Sequence, residues 1–113
     1  MGDLGQTGED IAVRHLKDKG YSILHRNFRT PVGEADIIVR DKEDLVFVEV
    51  KARSSDAFGQ PFEAVGYRKQ EKLKKIALYY IKHTKTDSPV RFDVISIITV
   101  NGKEEINHIK EAF

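Results

Sequence analysis

The sequence predicts one α/β domain with a mixed five-stranded sheet, and three observations support that fold class. Two segments repeat apolar residues at helical spacing, five short segments are predicted as strands, of which 45–52 and 90–100 have runs of β-branched residues, and these elements follow the order α-β-β-β-α-β-β. The second helical segment separates two apolar strands, which allows a right-handed crossover and places those strands parallel. Short polar turns before and after this unit indicate two antiparallel hairpins.

The first half of the chain is predicted to form one helix and three strands. Residues 9–19 place Ile11, Ala12 and Leu16 at helical spacing, and Gly20 follows as a stop signal. Bounded by turns at 29–33 and 41–44, the strands are predicted at 21–28, 34–39 and 45–52.

The second half begins with a predicted loop at 54–66 and continues with the clearest helical pattern, at 67–83. Apolar residues of that helix recur at i, i+3, i+4, i+7 and i+8, which are Leu73, Ile76, Ala77, Tyr80 and Ile81. Two strands are predicted after it, at 90–100 and 104–109, joined by Asn101-Gly102, a pair typical of tight hairpin turns.

Composition limits the classes of function. The 113 residues fit a single domain over 1–113, and 19 Lys and Arg against 18 Asp and Glu leave a net charge of +1 that names no partner. The absence of cysteine excludes disulfide scaffolds, thiolate metal sites and thiol catalysis, and it suits the cytoplasm. Without a signal peptide or a long apolar stretch, we expect a cytoplasmic protein that does not enter membranes.

Charged residues interrupt the apolar strand predicted at 45–52. Glu49 and Lys51 alternate with valine there, so both share one face of the strand with Phe47. Asp36 lies on the preceding strand, and pairing through the polar turn brings it opposite the end that carries Glu49 and Lys51. Because a buried carboxylate without a partner costs several kcal/mol, something must satisfy this cluster.

Two interpretations of the cluster are open from the residues alone. In the first, Lys51 neutralises Glu49, and Asp36 caps a nearby backbone group. In the second, Asp36 and Glu49 hold Mg²⁺ or Mn²⁺, with the backbone carbonyl of Val50 as a further ligand where the strand is unpaired. A lysine beside such an ion positions the attacking water and neutralises transition-state charge, a combination typical of phosphodiester hydrolysis.

The two strands also carry a recognisable motif. Gly-Glu-Ala-Asp-Ile-Ile at 33–38, followed by Val-Phe-Val-Glu-Val-Lys-Ala-Arg at 46–53, resembles the Asp … Glu-x-Lys signature of the restriction-endonuclease-like superfamily. The chain more closely resembles the YraN-like family of proposed bacterial endonucleases over most of residues 8–95. The residues that carry this closer resemblance include Gly8, Glu9, Arg26, Asn27, Phe58, Gly59, Pro61, Glu63, Lys69, Lys72, Tyr80, Arg91 and Asp93. Ala35 stands where the superfamily motif has proline, and Phe28 where relatives often have tryptophan.

The resemblance implies a restriction-endonuclease-like core with its site at the ends of these strands. It makes Asp36 and Glu49 metal ligands and Lys51 the catalytic lysine, and it adds Glu9 from the first helix to the catalytic residues. From the residues alone, Glu9 equally fits a residue that complements the helix dipole. Glu34, two residues before Asp36, is an alternative ligand or a structural acid.

The helix predicted at 67–83 suggests a nucleic-acid partner. Residues 66–85 hold seven basic residues and one acid, which leaves a local charge of +6. A basic face beside a metal site suits contact with a phosphate backbone, although a solvated helix face is the common alternative. The predicted contacts are Arg53, Ser54 and Ser55 after the charged strand and Arg68, Lys69, Gln70, Lys72 and Lys75 on the helix.

The sequence therefore predicts a small nuclease dependent on Mg²⁺ or Mn²⁺, with structured or branched DNA ahead of RNA as substrate. One small domain contacts little DNA, so a homodimer is expected. The alternatives are a nucleic-acid-binding module of the same fold that does not cut, and a protein-interaction domain in which the charged cluster is only structural.

Overall fold

The computed structural model describes residues 4–54 and 65–113, and its elements follow the predicted order. The helices are α1 (Leu4–Asp18) and α2 (Tyr67–Thr84). The strands are β1 (Ser22–Arg29), β2 (Glu34–Asp41), β3 (Asp44–Ser54), β4 (Val90–Val100) and β5 (Lys103–Ile109). The α/β class and the order α-β-β-β-α-β-β are confirmed. The predicted loop at 54–66 lies mostly outside the described residues.

The described strands form one five-stranded sheet in chain order, β1-β2-β3-β4-β5. Among the described strands only the β3–β4 pair is parallel, running from Leu45↔Val90 to Ser54↔Thr99, and α2 supplies its crossover. The β1–β2, β2–β3 and β4–β5 pairs are antiparallel. At the β4–β5 turn, Asn101 and Gly102 both have positive φ angles, 51° and 75°, which confirms the predicted tight hairpin.

The helices cover opposite faces of the sheet. Val46 and Val48 pack in the apolar cluster under α1, together with Ala12 and Leu16 of that helix. Phe47 packs in the cluster under α2. The predicted alternation of side chains along β3 is therefore correct, and it places Glu49 and Lys51 on the face that α2 covers. Neither helix of the described ranges is long and apolar enough to cross a membrane.

The helix α1 begins at Leu4, whereas the sequence predicted its start at residue 9. The apolar repeat that indicates the helix begins only at Ile11, so the sequence carries no signal for the first turns. Within these turns Gly8 allows α1 to lie close to β3, because a Cβ at this position would be 2.8 Å from Cβ of Ala52. This close approach sets the distance between β3 and the next residue, Glu9.

The strand β2 is irregular at Asp36. Its ladder with β3 ends at Ile37↔Val48, although β2 continues to Glu34 in its pairing with β1. Ala35 and Ile38 both pack in the cluster under α2, whereas Ile37 packs in the cluster under α1. Strict alternation would place Ala35 with Ile37. The irregularity leaves the β3 backbone beyond Val48 open to the side chain of Asp36.

A buried ionic network ties β4 to the rest of the sheet. The guanidinium of Arg91 donates to both carboxylate oxygens of Asp93, at 2.9 and 3.1 Å, and its Nη1 reaches Asp41 and Asp44 at 3.0 and 3.1 Å. Asp93 also contacts His108 of β5 at 2.8 Å. Burial works to raise the pKa of Asp93, but the bonds from His108 and Arg91 hold it below its ordinary value.

Candidate functional site

A pocket of about 350 Å³ lies where the β2–β3 ladder ends. It receives side chains from both helices and both strands, namely Glu9, Asp36, Glu49, Val50, Lys51, Ala52 and Lys69. The structure thus brings together all of the residues predicted to act as metal ligands or in catalysis. It adds Lys69, which the sequence suggested only as a nucleic-acid contact.

The carboxylate of Asp36 takes the place of a backbone partner for β3. Its Oδ2 accepts a hydrogen bond of 2.9 Å from the backbone N–H of Val50. Burial, with the nearby charges of Glu49 and Glu9, raises the pKa of Asp36 to about 7 although the Val50 bond opposes that shift.

The backbone carbonyl of Val50 faces the same side as this hydrogen bond. The N–H and C=O of one strand residue point to the same side of the strand. Because the N–H of Val50 is directed to Asp36, its carbonyl also points to the β2 side, where the β2–β3 ladder has already ended. Among the described residues, this side of β3 therefore has no β2 ladder partner at Val50.

Glu49 is the buried acid of the pocket, with a side chain only 3% exposed. Its Oε2 contacts the ammonium of Lys69 at 2.5 Å and lies 3.6 Å from that of Lys51. Its Oε1 is buried without a hydrogen-bond partner among the described residues. Since an unpaired buried acceptor is costly, this oxygen is suited to receive a further ligand.

Lys69 connects the first turn of α2 to the acids on the strands. Burial works to lower the pKa of Lys69, but its hydrogen bond with Glu49 and the charges of Glu49 and Asp36 raise it overall. The sequence analysis missed this pairing, because it depends on how the crossover sets α2 over β3. The sequence offered one signal for this pairing, which was a lysine in the first turn of the helix that forms the crossover.

Glu9 is positioned by a residue of β1. Its Oε1 accepts a hydrogen bond of 3.1 Å from the side-chain amide of Asn27. Asn27 has a φ of 53°, in the left-handed region that Asn tolerates better than most residues. The neighbouring pair Arg26–Asp10, at 2.7 Å, also joins β1 to α1. Asn27 belonged to the family resemblance, but its contact with Glu9 was not predicted.

The other predicted nucleic-acid contacts lie outside this pocket. Arg68 and Lys72 are exposed on α2 and line an adjacent concavity together with Lys69. Gln70 donates to the carbonyl of Val65 at 3.1 Å and lines a different cavity, so the structure does not bring it to the acids.

The remaining predicted contacts are Lys75 of α2 and three consecutive residues from Arg53 onward. Lys75 is exposed further along α2. Arg53 and Ser54 are the last residues of β3, and Ser55 lies outside the described residues.

The donor set fits a small divalent cation. Within residues 4–54 and 65–113 no cluster of three or more His, Cys, Asp and Glu side chains is arranged to hold a metal by itself. Mg²⁺, however, is usually held by one or two carboxylates and completes its shell with water and substrate oxygens. Asp36, the unpartnered Oε1 of Glu49 and the Val50 carbonyl match that requirement.

By fold and site, the molecule is an α/β protein that gathers acids and lysines where two strands of a mixed sheet separate. The model of the uncharacterised protein family UPF0102 matches its residues 8–97. A UPF0102 protein of Thermodesulfovibrio yellowstonii is 53% identical over 111 residues, which cover 98% of this chain and 96% of the relative. This chain therefore belongs to the UPF0102 family, which confirms the resemblance to the YraN-like proteins.

Other relatives match over nearly their full length as well. A UPF0102 protein of Syntrophomonas wolfei is 49% identical over 112 residues, covering 98% of this chain and 97% of the relative. One of Bacteroides thetaiotaomicron is 47% identical over 111 residues, covering 98% and 92%. The similarity thus includes both strands and both helices that form the pocket.

Proposed function

We propose that this protein is a nuclease with a restriction-endonuclease-like core, which uses Mg²⁺ or Mn²⁺ to hydrolyse phosphodiester bonds in structured or branched DNA. The observation that carries the proposal is the meeting of Asp36, Glu49 and Lys51 in one pocket, where Glu49 Oε1 is buried and has no hydrogen-bond partner among the described residues. A purely structural ion pair gives no reason for a buried carboxylate oxygen to lack a hydrogen-bond partner.

The charge balance of the pocket favours a cation. Among its described lining residues, three carboxylates (Glu9, Asp36 and Glu49) face two ammonium groups (Lys51 and Lys69). Burial is the largest cause that raises the pKa of Asp36 to about 7, and the charges of Glu49 and Glu9 add to it. Asp36, Glu49 and the Val50 carbonyl would hold the ion, which when bound supplies a Lewis acid for water and for the scissile phosphate.

Lys51 is placed to act on a phosphate at the pocket. Its ammonium is 3.6 Å from Glu49 Oε2, longer than a hydrogen bond, and its side chain is 24% exposed. The N–H donors of the Lys51 ammonium are therefore available to another acceptor, and the ammonium remains close to the acids. In the proposed reaction it orients the attacking water and neutralises the negative charge that develops on the phosphoryl oxygens.

The proposed partner, oligomeric state and location follow from charge and size. Arg68, Lys72 and Lys75 lie exposed on α2 and offer phosphate contacts beside the pocket. A homodimer would double the small DNA surface that one domain of this size can contact. The cysteine-free chain suits the cytoplasm, where we propose that it acts.

The decisive experiment combines cation binding with cleavage. Titration calorimetry with Mn²⁺, and a cleavage screen over duplex, flap, junction and single-stranded substrates, would be carried out on the protein and three variants, Asp36→Asn, Glu49→Gln and Lys51→Ala. We expect Mn²⁺ binding to be lost in the first two, and hydrolysis to be lost in all three with non-additive effects. Activity that survives in all three folded variants would contradict the proposal.

Glu34→Gln is the matched control for Asp36→Asn. Glu34 lies on the same strand, but its carboxylate is exposed and paired with Arg29 at 3.0 Å. Mn²⁺ binding should be unchanged in this variant. If Glu34→Gln removes Mn²⁺ binding and Asp36→Asn does not, Glu34 is the ligand and the assignment of Asp36 is wrong.

The structural alternative has an observation of its own, since Lys69 and Lys51 already neutralise Glu49 without a metal. In a protein-interaction domain with a structural cluster, the protein binds no Mn²⁺ and Glu49→Gln lowers its stability. In a nucleic-acid-binding module that does not cut, DNA binds but none of the substrates is hydrolysed. Calorimetry with Mn²⁺ therefore separates the nuclease from the interaction domain, and the cleavage screen separates the nuclease from the binding module.

A further inference from the structure

Adjacent concavities of the described surface join the carboxylate pocket to the exposed side of α2. The pocket shares Lys69 with a second concavity, which in turn shares Arg68 and Lys72 with a third. We call the second and third concavities together the α2 groove. Its lining residues are Val32, Gly33, Glu34, Tyr67, Arg68, Lys69, Glu71, Lys72 and Lys75.

The α2 groove carries an excess of positive charge. Its two acids are each paired with a cation that does not line the groove, Glu34 with Arg29 at 3.0 Å and Glu71 with Lys74 at 3.4 Å. The groove cations Arg68, Lys72 and Lys75 are thus not neutralised by these acids.

The groove cations follow the helix. Arg68, Lys72 and Lys75 recur at i, i+4 and i+7, so they lie on one side of α2 over about 10 Å. At Gly33 a Cβ would be 2.9 Å from Cδ of Lys72, so the glycine leaves room for the lysine stem over the β1–β2 turn. The spacing suits successive phosphates of one strand.

An exposed aromatic ring lies in the third concavity of the groove. Tyr67 is 70% exposed and Val32 is 39% exposed, and both line the third concavity. A large aromatic side chain among cations on a protein surface is typical of proteins that bind single-stranded nucleic acid, where bases stack on rings while basic residues contact the phosphates.

We propose that the α2 groove binds a single-stranded nucleic-acid segment, with phosphates on Arg68, Lys72 and Lys75 and an unstacked base on Tyr67. This inference rests on the proposed function, because it makes the strand that enters the carboxylate pocket an unpaired one. A fully paired duplex keeps its bases stacked and offers no base face to Tyr67. The substrate class is thereby narrowed to nucleic acids with an unpaired strand, such as a flap, fork or gap.

The test measures binding without cleavage, in EDTA, by fluorescence anisotropy. The probes are a labelled oligothymidylate, a duplex of the same length and an oligouridylate of the same length. We expect Tyr67→Ala to weaken binding of the single strand about fivefold or more, the lower end of the effect of one base–aromatic stack, and to change duplex binding less than about twofold. Tyr67→Phe, which keeps the ring, should bind like the unchanged protein.

Ile106→Ala is the matched surface control. Ile106 is 40% exposed, but it lies on β5, at the other edge of the sheet from the β1–β2 turn. Its removal should leave all affinities unchanged. If only oligouridylate binding depends on Tyr67, the proposed groove is supported and the strand that it binds is RNA. If only oligothymidylate binding depends on Tyr67, that strand is DNA.

Two results with the Tyr67→Ala variant would overturn the inference. Tyr67→Ala could leave single-strand affinity unchanged, or weaken single strand and duplex equally. If Mn²⁺ binding and cleavage still depend on Asp36 and Glu49 in that case, the proposed nuclease survives and the groove alone is wrong. Failure of the unchanged protein to bind any of the probes would also overturn the groove, and the cleavage screen with flap and junction substrates would still decide on the nuclease.

Discussion

The fold shifts the pKa of the Asp36 carboxyl group to near neutral pH. Burial and two neighbouring acids raise its pKa from an ordinary 3.8 to about 7, while the backbone N–H of Val50 holds it in place. A folded state that binds a proton more tightly than the unfolded chain loses stability as pH rises through the interval between the two pKa values. Without a cation, ionised Asp36 therefore destabilises the fold.

Replacement of Asp36 by asparagine should remove that pH dependence. The unchanged protein should lose stability between about pH 4 and pH 7, because the unfolded chain releases a proton there that the folded protein retains. Asp36→Asn keeps an acceptor for Val50 and should be more stable at about pH 8, by on the order of 1–3 kcal/mol. Urea unfolding in EDTA at several pH values measures the difference.

The control for this measurement is again the exposed acid on the same strand. Glu34→Gln should follow the pH profile of the unchanged protein, since Glu34 is exposed and its pair with Arg29 lies at the surface. A profile for Asp36→Asn that declines in parallel with the unchanged protein would show that another group causes the loss.

At the scale of elements, the position of α1 over β3 decides whether Glu9 reaches the pocket. Gly8 makes that position available, since any side chain there meets Ala52. Glycine within a helix is about 1 kcal/mol less favourable than alanine, so the helix alone would gain from a substitution. The presence of glycine at position 8 is therefore explained by the close packing of α1 on β3.

Gly8→Ala should destabilise the protein by about 1–3 kcal/mol, as expected for overpacking, although it raises helix propensity. It should also weaken Mn²⁺ binding to the proposed site, because displacement of Glu9 moves a negative charge away from the cation although Glu9 is not itself a proposed ligand. The double variant Gly8→Ala, Ala52→Gly removes the clash and should recover both properties. Urea unfolding and calorimetry test this, and a double variant no better than Gly8→Ala would show that the 2.8 Å approach is not the cause.

At the scale of the whole molecule, the Arg91 network joins parts of the chain that are far apart in sequence. Arg91 of β4 contacts Asp41 and Asp44 beside the β2–β3 turn, while Asp93 contacts His108 of β5. The side chain of Arg91 is 9% exposed and that of Asp93 is fully buried. These charges lie in the interior, where removal of one partner leaves the others uncompensated.

Arg91→Met should lower the free energy of unfolding by about 3–5 kcal/mol, because it leaves Asp93 buried without its main cation. Arg29→Met, which removes an arginine whose side chain is 84% exposed, should change it by less than about 1 kcal/mol. Thermal and urea unfolding measure both. A loss for Arg91→Met as small as that for Arg29→Met would show that the network contributes little to stability.

The same network predicts the acid limit of the fold. Since the pKa of Asp93 lies below its ordinary 3.8, its contribution to stability is complete above about pH 4 and is lost as pH falls further. Asp93→Asn should be less stable than the unchanged protein at neutral pH, and the difference should narrow in acid. A difference that stays constant down to about pH 2 would contradict the assignment.

The amino-acid sequence by itself determined the class, the order of the elements and the faces of β3. Those features depend on short-range patterns, because side chains alternate along a strand and recur every third or fourth residue along a helix. The valines of β3, the apolar positions of α2 and the Asn101-Gly102 turn are each readable within one segment. The acids of the pocket were found in the same way, since Glu49 and Lys51 interrupt an apolar strand.

Only the tertiary structure decided how those acids are partnered. Lys69 reaches Glu49 because the crossover sets the first turn of α2 over the end of β3, and Asn27 reaches Glu9 because β1 passes beneath α1. Asp36 turns to the backbone of Val50 where the β2–β3 ladder breaks. These contacts join residues that are distant in the chain, and they depend on the angles and distances between packed elements, which no local pattern of residues encodes.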